Sequence, residues 1–369
     1  MRTRWLLALV VAVLPLLGPG VVPTAAAAVA PVATAPPAVS GRAVFGEVLT
    51  AVPGTWSPSD VVLSYRWLRG GRPVAGATTT TYRLAGADVG YRVQVEVTAT
   101  AGDGTTGRAV SAPGARVAAA PLLNRKAPRI VGSTRYGGTL RARPGRWSTS
   151  PDRVRYQWLR GGRPVRGATG PRYAVRPDDV GRKIRVEVTA RARHHRPGTA
   201  RSTPVRAKHR VGVRRTVTYS VVVDGRVRAD VGEFRRQAQQ TFDDARGWRG
   251  TGVVFRPVGS GGSFTLVLAE AGRVPSYSSG CSATWSCRVG RWVIINQDRW
   301  LGASPAWNAA GESRRDYRHM VVNHETGHWL GKGHAGCPRP GALAPVMQQQ
   351  SKGTQGCRLN PWPTPAELR

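Results

Sequence analysis

Residues 324–334 read H-E-T-G-H-W-L-G-K-G-H, and this stretch decides how the C-terminal part of the chain is understood. On a helix, His324 and His328 stand four residues apart, so they project from one side, one turn from each other. Two imidazole nitrogens can then share one metal ion. Glu325 sits beside the first and can take a proton from a water activated there. Gly331 suits the left-handed conformation that ends a helix, and the resulting turn lets His334 swing back as a third ligand. Three neutral nitrogen ligands with an open fourth position describe a catalytic site for one Zn2+. A single buried histidine is more often satisfied by hydrogen bonds, but this string fixes five positions and uses three of the seven histidines in the chain.

Outward from the motif, Ser313 and Asp316 form a capping box, so a helix starts there. It presents Tyr317, Met320, Val321, His324 and His328 on one continuous face. Upstream, 216–223 is β-branched and strand-like. Asp230 and Glu233 open a second helix, with Val231, Phe234, Ala238, Phe242 and Ala245 at helical spacing and Gly247 as the stop. Residues 253–258 and 264–269 read as strands, and 292–296, apolar throughout, as a central one. Strands interleaved with helices give an α/β (α+β) domain over 216–369.

The four cysteines, Cys281, Cys287, Cys337 and Cys357, all lie in this domain. An even count suits two disulfides in an exported chain. Of three pairings, Cys281–Cys287 and Cys337–Cys357 are favoured, because each closes a short local loop. None of the spacings is C-x-x-C, which argues against a second metal site.

The first half is an internal repeat. Trp56, Tyr65, Trp67, Tyr82, Asp88 and Gly90 recur as Trp147, Tyr156, Trp158, Tyr173, Asp179 and Gly181, each offset by 91 residues. The segment L-R-G-G-R-P-V recurs unchanged at 68–74 and 159–165. Residues 93–99 and 184–190 alternate apolar and polar with period two, as half-buried strands do. The boundaries read as module 1 over 41–120, module 2 over 126–207 and a basic linker over 208–215. With no Cys pair, Trp67 and Trp158 should pack against aliphatic side chains. His194, His195 and His209 have no carboxylate or Cys partner nearby in sequence and read as solvated. Residues 31–40 read as a flexible lead-in.

Residues 1–30 read as a signal peptide. Arg2 and Arg4 precede an apolar run, and small residues follow at the cleavage region. The run is short for a membrane span and no second candidate follows, so a secreted, extracellular protein is expected, in association with the cell envelope. The net charge is +35, of which residues 216–369 carry only +8 (19 Lys+Arg against 11 Asp+Glu). Such a balance suits an anionic partner such as a cell-envelope polymer. No groove-reading motif is present, so nucleic acid is not the expected partner.

Three resemblances follow from these residues. W-L-R-G-G, then Tyr, then D-x-G resembles the Ig-like modules of secreted bacterial proteins, over about 38–207, implying two all-β sandwiches that act as spacer or adhesion units. The order of strands, helix and zinc helix ending at Gly331 resembles the metzincin metallopeptidases. That likeness implies that His324, His328 and His334 bind zinc, that Glu325 is general base and then proton donor, and that Met347, in A-P-V-M-Q-Q-Q, forms the methionine turn. It further implies an endopeptidase whose protein or peptide substrate lies as an added strand near 282–289. Some metzincins carry a Tyr after the Met; here Gln348, Gln349 and Gln350 stand there, leaving the oxyanion group unassigned. More narrowly, N-H-E-T-G-H, G-H-A-G-C-P and L-N-P-W-P look like a family of secreted actinobacterial proteins of unknown function, over about 216–363. A zinc-dependent cell-wall amidase and an adhesive protein with an inactive zinc domain are the alternatives.

Overall fold

The computed structural model describes residues 29–369. The expected signal peptide lies, through residue 28, outside them. Among the described residues no helix is long and apolar enough to cross a membrane. The backbone groups into two compact units, one formed essentially by module 1 and one by module 2 with the C-terminal domain.

Both modules are all-β and built alike. In module 1 the long antiparallel strands Val61–Arg69 and Val93–Ala101 form the centre of a four-stranded sheet, and Ala38–Ser40, Val48–Val52 and Thr81–Arg83 form a second sheet of three. In module 2 Arg153–Arg160 and Lys183–Arg191 form the centre of a five-stranded sheet, and Arg129–Gly132, Thr139–Arg143 and Arg172–Ala174 form the sheet of three. The inward side chains of the alternating strands meet in the middle: Trp67, Val95 and Val97 in one, Trp158, Val186 and Val188 in the other.

The recurring motif is one network made twice. Asp88 is fully buried and accepts from Arg69 Nε at 2.7 Å, Tyr82 Oη at 2.9 Å and the Ala85 N–H at 2.6 Å. Asp179 does the same with Arg160 (2.6 Å), Tyr173 (2.7 Å) and the Arg176 N–H (2.7 Å). Burying a carboxylate is costly unless it is paired and hydrogen-bonded, which this triple contact achieves. Gly90 and Gly181, in D-x-G, adopt φ of +89° and +79°. The two tryptophans depart from expectation. Each stacks on the motif tyrosine, Trp67 on Tyr82 at 5.5 Å and Trp158 on Tyr173 at 5.3 Å, in addition to touching aliphatic side chains.

Residues 31–40 are a second departure. Val32–Ala35 and Ala38–Ser40 are strands paired to Thr55–Ser57 and Val48–Val52, with Ala33 and Val39 against the module core. Strands this short carry one or two inward side chains, too few to show a period. The third concerns His209. It is half-buried, and its Nδ1 is sealed from solvent with no hydrogen-bond partner, because the linker folds against the C-terminal domain.

The C-terminal domain is a five-stranded mixed sheet with helices. Its strands are β1 (Arg215–Asp224), β2 (Val253–Pro257), β3 (Phe264–Ala269), β4 (Cys287–Val289) and β5 (Trp292–Asn296), and its helices α1 (Val231–Asp243), α2 (Gln297–Gly302), α3 (Pro305–Ala309) and α4 (Arg314–Trp329). The order is β2-β1-β3-β5-β4, all parallel except β4, which runs antiparallel to β5. The centre is β3, all six of its residues buried; β5, expected there, is one place further out and is kept interior by β4. Helix α1 ends at Asp243, short of Ala245 and Gly247. Asp230 caps it by accepting the Glu233 N–H, and Ser313 caps α4 by accepting the Asp316 N–H, each cap contributing about 1 kcal/mol.

Candidate metal centre

Helix α4 carries the site. Its buried face, Tyr317, Met320 and Val321, joins a core with Phe234, Trp300 and Trp307, which fixes the rotation of the helix and aims His324 and His328 into a cavity of about 360 Å3. Gly331 has φ of +87°, as its sequence position implied, and the chain doubles back so that His334 reaches the same point.

His328 Nε2 lies 3.1 Å from His324 Nε2 and 3.2 Å from His334 Nε2. Among the described residues this is the one group of three or more His, Cys, Asp or Glu side chains whose donor atoms converge. His324 Nδ1 is 2.8 Å from the Val346 carbonyl oxygen, and His328 Nδ1 is 2.9 Å from that of Lys332. A carbonyl only accepts, so each Nδ1 carries the proton and each Nε2 is left as a lone pair. Two imidazole lone pairs facing each other at 3.1 Å repel unless a cation lies between them. Four-coordinate nitrogen ligands at about 2.0–2.1 Å would stand roughly 3.3–3.4 Å apart, close to the spacing found. Burial pushes the His324 imidazole down to about 4 and also lowers His328 and His334, favouring the neutral form that ligates. The residues therefore fit a divalent cation of the zinc type.

Glu325 lines the same cavity and is only 6% exposed. Burial pushes its carboxyl up to about 8, and Arg288 pulls the other way. Arg288, on β4, donates to the His328 carbonyl at 2.7 Å, closing the C-terminal turn of α4. The Cys281–Cys287 disulfide forms part of the cavity wall, together with Trp285 and Ser286. The other wall is the segment after Met347, with Gln349, Gln350, Ser351 and Lys352.

Met347 is buried beneath α4 in a turn, against Gly327. The second disulfide, Cys337–Cys357, brackets this loop, so both bridges have the connectivity favoured from the sequence. Of the three glutamines, Gln350 is a latch, donating to the Pro345 and Asn360 carbonyls and accepting the Asn360 N–H. The Gln348 side chain is buried without a hydrogen-bond partner, and Gln349 is exposed.

Two supporting residues went unread in the sequence. Glu367 accepts the N–H groups of both Val346 (3.1 Å) and Met347 (2.8 Å), and so holds the loop whose carbonyl orients His324. Trp248 lies under α4 and donates to the Asn323 carbonyl at 2.8 Å. Locally, T-P-A-E shows only the capping pair in which Glu367 accepts from Thr364; its loop partners are 20 and 21 residues away, and nothing local marks Trp248.

Residues 189–363 match a protein family described as "Protein of unknown function (DUF3152)". No curated protein matches the chain. Among solved structures, three N-terminal domains of the Hoc outer capsid protein of bacteriophage RB49 are 15% identical, over 52% of this chain and 65% of that one, with a TM-score of 0.24. Sidekick-1 immunoglobulin domains 1–5 are 18% identical, over 55% of this chain and 44% of that one, with a TM-score of 0.21.

Proposed function

We propose that the C-terminal domain is a metzincin-like zinc endopeptidase, and that the Ig-like modules act as spacer or envelope-adhesion units of a secreted protein. The observation that carries this reading is the convergence of three imidazole Nε2 atoms, two of them left as lone pairs by carbonyls at Nδ1, beside a buried Glu325 in an open cavity. When bound, zinc would supply a Lewis acid that polarises the scissile carbonyl and acidifies water. Glu325 accepts the proton of the attacking water and passes it to the leaving amine. A cation on the triad favours the Glu325 carboxylate, as Arg288 already does, so loading the site readies the base. The substrate backbone pairs with the free edge of β4, which runs past the cavity. Lys352 has no ion pair among the described residues and lines the cavity wall; we assign it to the developing oxyanion.

The test compares the wild-type chain with Glu325→Ala on unfolded proteins and on purified cell wall. Peptide-bond cleavage by wild type only, with about one zinc per chain in both, is the expected result. Cleavage of wall alone would replace the peptidase by an amidase, and no cleavage of either would leave an inactive adhesive domain.

A further inference from the structure

Module 2 carries 21 Lys+Arg against 4 Asp+Glu over 126–207, whereas module 1 carries 8 against 5 over 41–120. Four of the additional arginines share one surface. In the three-stranded sheet of module 2, Arg129 stands directly opposite Arg143, and Arg141 directly opposite Arg172. Directly paired residues of antiparallel strands project from the same face, as do residues two apart in one strand. The four guanidinium groups therefore form one zigzag track across three strands, about 12 Å from end to end. All four are exposed, and none has a salt bridge or hydrogen bond from its side chain among the described residues. The remaining outward residues, Val131, Thr139 and Ala174, bring no negative charge.

Like charges placed directly opposite destabilise a sheet. Module 1 shows that the fold does not require them. At the same positions, 91 residues earlier and in the same register, it has Ala38 opposite Val52 and Thr50 opposite Thr81. A codon bias that favours arginine over lysine acts on both modules and cannot account for the difference.

We propose that this arginine track is a docking surface for a linear phosphodiester polymer of the cell envelope, holding the chain at the wall. Guanidinium groups bind phosphate oxygens bidentately, and several in a row engage successive phosphates of one strand. The face has no aromatic side chain on which bases could stack and no helix to enter a groove, which disfavours nucleic acid.

The experiment measures binding of the full chain to a purified polyol-phosphate wall polymer at physiological salt. One variant gives the track its module-1 residues, Arg129→Ala, Arg141→Thr, Arg143→Val and Arg172→Thr. A control with the same change in net charge removes four exposed arginines elsewhere in module 2, Arg153→Val, Arg155→Ser, Arg166→Ala and Arg185→Gln, again to the residues found in module 1. The track variant should lose at least about tenfold in affinity and reduce the salt dependence by about one log unit per arginine contact, while the control loses about twofold. Both variants are read for folding by melting temperature, so a failed fold is not mistaken for lost binding. Equal losses in the two variants would reduce the effect to net charge and overturn the proposal. So would wild-type chain that does not bind the polymer, or that binds duplex DNA or a polyuronate as tightly through the same four residues.

Discussion

Gly327 rests directly on Met347. A Cβ built at residue 327 would overlap the Met347 sulfur and stand 2.8 Å from the Trp248 ring. Helix α4 and the Met347 turn approach this closely at residue 327 because the position lacks a side chain. Gly327→Ala should therefore overpack the seam, costing about 1–3 kcal/mol and several degrees of Tm. It should also weaken zinc binding, since the loop carries the Val346 carbonyl that orients His324. Calorimetry and a competitive metal titration check both, and an unchanged Tm with unchanged affinity would show that the thioether moves aside freely.

Metal removal should destabilise the C-terminal domain. A site held at a thousandfold over its Kd adds about 4 kcal/mol, lost on chelation. His334 is exposed at the cavity mouth, so His334→Ala should leave the metal-free stability within about 0.5 kcal/mol yet abolish the difference between chelated and zinc-loaded samples. Scanning calorimetry with and without chelator reads it, and a persisting chelator effect in the variant would place the metal elsewhere.

Lys352 tests the oxyanion assignment separately from the metal. Lys352→Met should lower kcat by about 10²–10³ while KM and zinc content hold. A rise in KM at unchanged kcat would make Lys352 a substrate-binding group only.

His319 gives a pH dependence that zinc does not share. It lies between the Thr241 hydroxyl, 2.8 Å from Nδ1, and the Trp362 ring. Burial, reinforced by Arg315, pushes its imidazole from 6.5 down to about 4. The folded state keeps it neutral while the unfolded chain takes up a proton near 6.5. Its contribution is thus complete above that pH and is lost as pH falls toward 4. Melting curves between pH 7.5 and 4.5 should show a shallower acid loss for His319→Gln than for wild type; parallel curves would assign the loss to other groups.

In the repeats, Asp179→Ala would leave Arg160 and Tyr173 without their shared acceptor, and should cost about 3–5 kcal/mol in module 2. The zinc affinity of the C-terminal domain should not move, which a metal titration on the same sample shows.

The legible parts of this molecule are those whose information is local. The residues at 324, 325, 328, 331 and 334 are legible because helix geometry alone fixes their relative positions, and the left-handed Gly331 follows from the turn that His334 needs. The 91-residue offset exposed the Trp, Tyr and Asp positions, but not that Tyr82 stacks on Trp67 while its hydroxyl meets Asp88. That arrangement depends on strand register, which no single segment encodes. Strand 292–296 looked central because it is apolar, yet an interior strand one place from the edge has the same composition. Residues 31–40 hid their strands because backbone pairing, rather than side-chain pattern, holds them. Glu367 and Trp248 were invisible because each acts on a partner far along the chain.

The Glu367 clamp also sets an order of events. As the chain emerges from its N-terminal side, the three histidines appear first, then Met347, and Glu367 twenty residues later. A chain that stops short of Glu367 holds all three histidines of the triad, yet the Val346 and Met347 N–H groups lack that acceptor. The orientation of His324 is therefore set from the C-terminal side of the motif: the Val346 carbonyl is fixed only once Glu367 has met the two N–H groups beside it.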